Sequence, residues 1–171
     1  TDRLPAAHGS ADAWTLAPRI ERHALDARKR GTRPVHAIVC AQAHDCARLA
    51  QEIAWFAPAL EIATLPDWEI LPYDHLSPHQ DLVSERLSAL NALQRRSIDV
   101  LLVAASTALH RLAPASFIAA RTFEFTKGQR LDEQALRAQL TLAGYSFVSQ
   151  VVGPGEYCVR GGLIDLFPMG S

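Results

Sequence analysis

Asp99-Val100-Leu101-Leu102-Val103-Ala104 places four large aliphatic side chains in a row with no polar residue between them. A strand with one face in water alternates apolar and polar residues, so an unbroken run of this kind predicts a strand covered on both faces, as in a parallel sheet between helices. The sequence on either side agrees. Upstream, Ser77-Pro78-His79-Gln80 reads as a helix start, with Ser77 as N-cap, Pro78 at the first helical position and Gln80 reaching back in a capping box. That helix is predicted to run to about residue 95 and to bury Val83, Leu87, Leu90 and Leu93. Downstream, Ser106 suits the cap of a short helix that Pro114 stops.

The same alternation of elements continues toward the N-terminus. Val35 to Cys40 forms a short apolar run after a proline and reads as a buried strand. A helix follows over 43–56, with Cys46, Leu49, Ile53 and Phe56 at spacings of three and four, and Pro58 ends it. Residues 60–65 are a second strand candidate, and strand, helix, strand in this order implies a right-handed parallel crossover. Residues 11–30 predict a further helix with Trp14, Ile20, Ala24 and Leu25 facing inward. Pro18 weakens its first turns, so the regular part is expected from about Ala17, and Gly31 offers the stop. The first ten residues read as a frayed lead-in.

Beyond residue 120 the texture changes. Phe123 and Phe125 alternate with polar residues, Lys127-Gly128 makes a turn, and Asp132 caps a helix over 133–143 closed by Gly144. Residues 147–152 and 157–159 read as strands around Gly153-Pro154-Gly155, and residues 163–167 as a final strand. The expected architecture is an α/β domain with a mainly parallel sheet over residues 1–120, followed by a small α+β domain over 121–171.

Composition narrows the function classes. The chain has 171 residues, nearly half of them hydrophobic, and a net charge of −1 that gives no overall attraction to nucleic acid. No apolar run approaches the roughly 18 residues needed to cross a bilayer, so no membrane partner is expected. Cys40, Cys46 and Cys158 form no CxxC pair, and their odd number argues against a disulfide framework, which points to a reducing cytoplasm. His44 beside Cys46 is too sparse for a metal site, and buried thiols are the preferred reading. Asp67, Glu69, Asp74 and Asp81 are spread over a proline-rich connection, where Asp commonly makes turns and caps. Trp68 and Tyr73 are read as sealing that connection, with base stacking as the less favoured role. Arg160, before a Gly-Gly pair, leaves two readings open from spacing alone: a solvated turn residue, or a guanidinium presented to a partner.

Two peptides carry a family resemblance. Asp67-Trp68-Glu69-Ile70-Leu71-Pro72-Tyr73-Asp74, continued by Ser77-Pro78-His79-Gln80-Asp81, is similar to a segment of the bacterial transcription-repair coupling factors (Mfd). So is Gly155-Glu156-Tyr157-Cys158-Val159-Arg160-Gly161-Gly162-Leu163-Ile164-Asp165-Leu166-Phe167-Pro168, with Tyr157 where that family has Phe. The likeness covers about residues 35–171. The excision-repair subunit UvrB shares the second peptide and is the alternative. It would carry a phosphate loop near its start and a tyrosine-rich hairpin after Pro72-Tyr73, whereas here Asp74 is followed directly by His75-Leu76-Ser77-Pro78.

The resemblance implies a RecA-like, helicase-lobe-like domain without a phosphate loop, then the first part of a UvrA-binding domain that is incomplete at the C-terminus. It implies a non-catalytic module that recruits UvrA in transcription-coupled nucleotide excision repair, with Arg160 matching a family residue used in that contact. ATP, RNA polymerase and DNA would be engaged through regions absent from this chain. A small-molecule α/β enzyme is a further alternative, but the connections after the strands offer prolines and apolar residues in place of an acid–base pair.

Nucleotide binding would require backbone amides around the phosphates and a neutralising Lys, the GxxxxGK[ST] pattern, which is missing from the sequence. Calorimetric titration with ATP is therefore expected to give no saturable heat. Saturable micromolar binding would overturn this reading.

Overall fold

A computed structural model describes residues 8–68, 78–119, 123 and 125–168. The expected N-cap Ser77 and the residues from Glu69 to Leu76 lie outside that set, as does the expected domain boundary at 120. The chain divides into two units, one within residues 1–69 and 88–111 and the other within 70–87 and 112–171. Each is described by itself.

The first unit is built on three parallel strands, β1 (His36–Cys40), β2 (Ile62–Leu65) and β3 (Val100–Ala104), in the order β1-β3-β2. The mainly parallel α/β architecture agrees with the sequence reading. β3 is buried along its whole length, as its unalternating pattern requires. β1 and β2 are parallel, but they are not neighbours, because β3 lies between them. β1 is consequently an edge strand. Its Val39 is 59% exposed, which corrects the expectation that residues 35–40 form a buried strand.

Two helices cover one face of this sheet. α1 (Ala11–Lys29) buries Ala13, Ala17, Ile20, Ala24 and Ala27, a stripe at spacings of three and four. α2 (Ala43–Phe56) buries Cys46, Leu49 and Ile53. The alanine stripe lets the two helices approach closely and join Val100 and Leu102 in one core. Trp14 and Leu25 sit one position off the stripe and are exposed, so the expected inward roles fail for both. α1 spans the expected stretch from Ala11, but it is regular through Pro18, where the regular part was expected only from about Ala17. Its first turn is fastened to α2 by Arg48, which donates to Asp12 at 2.8 Å and to Glu52 at 2.7 Å.

The other face of the sheet packs against α3 (Gln80–Gln94). Its Ala89, Leu90 and Leu93 meet Leu65, Leu101 and Val103 in a second core. Leu87, expected to be buried, is exposed, and its neighbour Arg86 is buried instead. Pro78 precedes the helix. α4 (Ala105–Ala108) follows β3 directly with Ala104 as its N-cap, so Ser106 lies inside the helix and does not cap it. α5 (Ala115–Ala119), a single turn, already belongs to the second unit. No helix among the described residues is long and apolar enough to cross a membrane.

At the N-terminal edge of this sheet stands Asp99, whose side chain is fully buried. It accepts from Arg28 at the end of α1 (2.6 Å), from Arg33 before β1 (3.3 Å) and from the Glu61 amide before β2 (3.0 Å). Its backbone carbonyl accepts from the His36 amide, and its amide donates to the Glu61 carbonyl, both at 2.8 Å. Burial by itself would raise the Asp99 carboxyl. The Glu61 amide, Arg33 and Arg28 outweigh it and hold the group below the usual carboxylate range.

The second unit holds α6 (Glu133–Leu142) and a mixed sheet of β4 (Ser146–Phe147), β5 (Glu156–Arg160) and β6 (Leu163–Phe167). Asp132 accepts from the Ala135 amide and caps α6, and Gly144 (φ +90°) closes it, both as the sequence predicts. β4 has only two residues and pairs parallel to β5. The Gly153-Pro154-Gly155 segment therefore belongs to a returning connection between parallel strands, not to the tip of a hairpin.

A depressed carboxylate contributes stability above its unfolded pKa and loses it as pH falls through the folded value. Asp99→Asn is expected to destabilise the protein by about 2–3 kcal/mol at pH 7, the scale of buried hydrogen bonds to charged groups whose arginines can rehydrate. Urea unfolding measured from pH 7 downward should show wild type and variant converging below about pH 4. A constant gap across that range would contradict the role given to the charge.

Candidate partner-binding site

The peptide Gly155 to Pro168 forms a hairpin whose two faces have different tasks. β5 and β6 pair antiparallel, with Tyr157 opposite Leu166, Val159 opposite Ile164, and Arg160 opposite Leu163. Alternation sends Tyr157, Val159, Ile164 and Leu166 to one face, where they pack with Leu136 and Leu140 of α6. The tip is the two-residue loop Gly161-Gly162. Gly161 has φ +58°, the positive value that the first position of a II′ turn demands. The Gly-Gly pair is thus explained by the strand reversal.

On the opposite face stand Cys158, Arg160, Leu163 and Asp165. Cys158 is buried, and the remaining three are exposed. The Arg160 side chain retains 61% exposure. Its nearest charge is Asp165, 3.9 Å away and 52% exposed, too loose a pair to hold the guanidinium in place. Leu163, at 62% exposure, lies directly opposite Arg160 in the ladder. A cation next to an uncovered leucine on a rigid hairpin is an arrangement suited to meeting another protein.

Glu156 is a residue that the sequence reading left without a role. Its carboxylate accepts from the Val152 amide at 2.8 Å and the Gly153 amide at 2.9 Å, and these two bonds hold it below its ordinary pKa. It therefore fixes the connection leading into β5. The signal available in the sequence was a carboxylate three residues after a glycine, where it can reach back to unpaired amides.

The first peptide enters the description only at its start. Asp67 accepts from the Trp68 amide (2.8 Å) and from the Ser106 hydroxyl (3.0 Å), with His110 at 4.0 Å. Burial pushes its carboxyl up, but the Trp68 amide and Ser106 hydroxyl together bring it below the usual range. It ties the chain after β2 to α4, the structural role preferred from the sequence. Trp68 is half-buried, whereas Glu69, Tyr73, Asp74 and His75 lie outside the described residues. His79 is exposed and 3.2 Å from Asp81. Cys40 and Cys46 are buried free thiols. Burial, reinforced by Cys46, pushes the Cys40 thiol up to about 12, which makes it a poor nucleophile and ligand. Among the described residues no group of three His, Cys, Asp or Glu side chains is placed to hold a metal.

Residues 123–171 match the family model of the UvrB interaction domain. The chain is 44% identical to the transcription-repair-coupling factor of Escherichia coli over 163 residues, which is 95% of this chain and 13% of that protein. It is 48% identical over 111 residues to the transcription-repair-coupling factor of Haemophilus influenzae, 65% of this chain and 10% of the relative. The chain is thus similar to transcription-repair-coupling factors over nearly its whole length, and to the UvrB interaction domain over its last 49 residues. The UvrABC system protein B of Yersinia enterocolitica is 34% identical over 95 residues, 56% of this chain. The coupling-factor similarity therefore reaches through the parallel sheet as well as the hairpin, and the chain spans only a small part of the length of these relatives.

The two bonds of Glu156 make a local prediction. Glu156→Ala should speed hydrogen exchange at the Val152 and Gly153 amides by at least about tenfold, as expected when a local protecting interaction is lost. Exchange at Leu140 should not change. Unaltered exchange at the two amides would remove the anchoring role.

Proposed function

We propose that this chain is a non-catalytic module of transcription-coupled nucleotide excision repair that recruits UvrA. In this reading residues 1–120 form a degenerate UvrB-like α/β domain, and residues 121–171 are the first part of the UvrA-binding domain. The observation that carries it is the exposed guanidinium of Arg160, beside exposed Leu163, on a hairpin within the segment that matches the UvrB interaction domain. The similarity to coupling factors over 95% of the chain supports the pathway. ATP-driven movement and the engagement of RNA polymerase would be supplied by the much longer remainder of a complete coupling factor. The missing phosphate loop supports assigning no catalytic step to this part.

Arg160→Glu should weaken UvrA binding by on the order of 2–5 kcal/mol, the range for truncating one partner of a desolvated charge pair. Folding should change by less than about 0.5 kcal/mol, as is usual for an exposed residue. Titration calorimetry with UvrA, alongside circular dichroism, checks both. Equal affinity in two folded proteins, or a variant that unfolds, would overturn the assignment.

A further inference from the structure

The residues leading into the three parallel strands meet at one edge of the sheet, and that edge is strongly cationic. Arg28, Lys29, Arg30, Arg33, Arg95 and Arg96 all belong to it, out of 17 Lys and Arg in the chain, whereas its acids are Asp26, Glu61 and Asp99. The protein as a whole carries −1, so positive charge is concentrated here at the expense of the remaining surface. Topology brings these residues together. β1 and β3 are paired in parallel from His36 and Val100 onward, and Arg33 reaches Asp99 at 3.3 Å. The segment 95–99 therefore enters beside the segment 30–35.

Not all of this charge is committed to the fold. Arg28 and Arg33 neutralise Asp99, and Lys29 makes a loose 3.4 Å contact with Asp26. Arg30 and Arg96 are exposed, and the Lys29 side chain is 77% exposed. The exposed side chains of residues 28–33 and 94–97 include no aliphatic or aromatic anchor. Contact with phosphates needs only cations free to reach them, and a surface of arginines and a lysine without apolar side chains supplies that.

Arg96 adds an independent observation. Among the described residues, three helices close with the same pair of backbone bonds. At α1 the Gly31 amide meets the Arg28 carbonyl and the Thr32 amide meets the Ala27 carbonyl. At α6 the pair is Gly144 to Thr141 and Tyr145 to Leu140, and at α3 it is Arg96 to Leu93 and Ser97 to Ala92. Each closure needs a left-handed residue at its turn. Two use glycine, at φ +75° and +90°, but the third uses Arg96 at φ +51°. Arginine is disfavoured in that conformation, and its presence where the other two closures have glycine marks a side chain kept for a purpose other than local stability.

From this placement we infer that the N-terminal edge of the parallel sheet binds the phosphate backbone of duplex DNA, without base specificity, through Lys29, Arg30 and Arg96. The site lies in the α/β unit, apart from the Arg160 hairpin, and does not depend on the UvrA assignment. Three phosphate contacts set its character: binding should weaken about fortyfold between 50 and 200 mM salt, from a slope near −0.9 per contact.

Fluorescence anisotropy of a labelled mixed-sequence duplex, titrated with the whole chain at several salt concentrations, tests the inference. Arg30→Gln with Arg96→Gln should reduce the salt slope by about 1.8, the loss of two contacts. Arg96→Gly provides a second variant: it should hold or raise the melting temperature by relieving the backbone, while still weakening DNA binding. The absence of wild-type binding at 50 mM salt would overturn the inference. So would an unchanged slope in the double variant, equal DNA affinity in Arg96→Gly, or polyglutamate competing as well as DNA at equal charge.

Discussion

The α/β unit depends on the buried carboxylate of Asp99. Parallel strands are joined by crossovers and not by tight turns, so nothing local fixes the level at which each strand begins. Here one side chain and its backbone meet the C-terminal end of α1, the residues before β1 and the amide before β2. A carboxylate withdrawn from water is unfavourable unless its oxygens are satisfied, and both oxygens of Asp99 are. Other geometries would leave it partly unpaired. The same atom set that neutralises the charge therefore fixes where the strands start.

How much of this was legible from sequence depends on whether a residue's neighbours are near in the chain. The unbroken aliphatic run of β3 gave both its element and its burial on both faces. The caps at Asp132 and Gly144 were equally readable, since they depend on backbone groups three or four residues away. Trp14 and Leu25 misled because hydrophobicity was taken as the marker of the inward face. The contact with α2 selects small residues, and the alanines one position away occupy it. Val39 misled because a strand's place at the edge of a sheet is decided by the order of strands, which periodicity does not encode. The parallel pairing of β4 with β5 was hidden for the same reason.

In the hairpin, the motif separates into residues that build and residues that face outward. Tyr157, Val159, Ile164 and Leu166 hold it on α6, Glu156 secures the approach, and the glycines reverse the chain. That accounting leaves Arg160, Leu163 and Asp165 without a structural duty. Arg160 was singled out from its glycine neighbours. Leu163 and Asp165 were not, because their shared face with Arg160 exists only once the register of the two strands is set.

The strand order also bears on how the protein is made. β1 and β2 are each paired only with β3 among the described residues, and β3 comes last of the three in the chain. During synthesis at roughly 5–20 residues per second, the 35 residues from Leu65 to Val100 take about 2 to 7 seconds to add. Throughout that interval the partner of both earlier strands does not yet exist, so neither can form its ladder. Two strand edges of the kind that invite pairing with other chains therefore wait on the arrival of a single later strand.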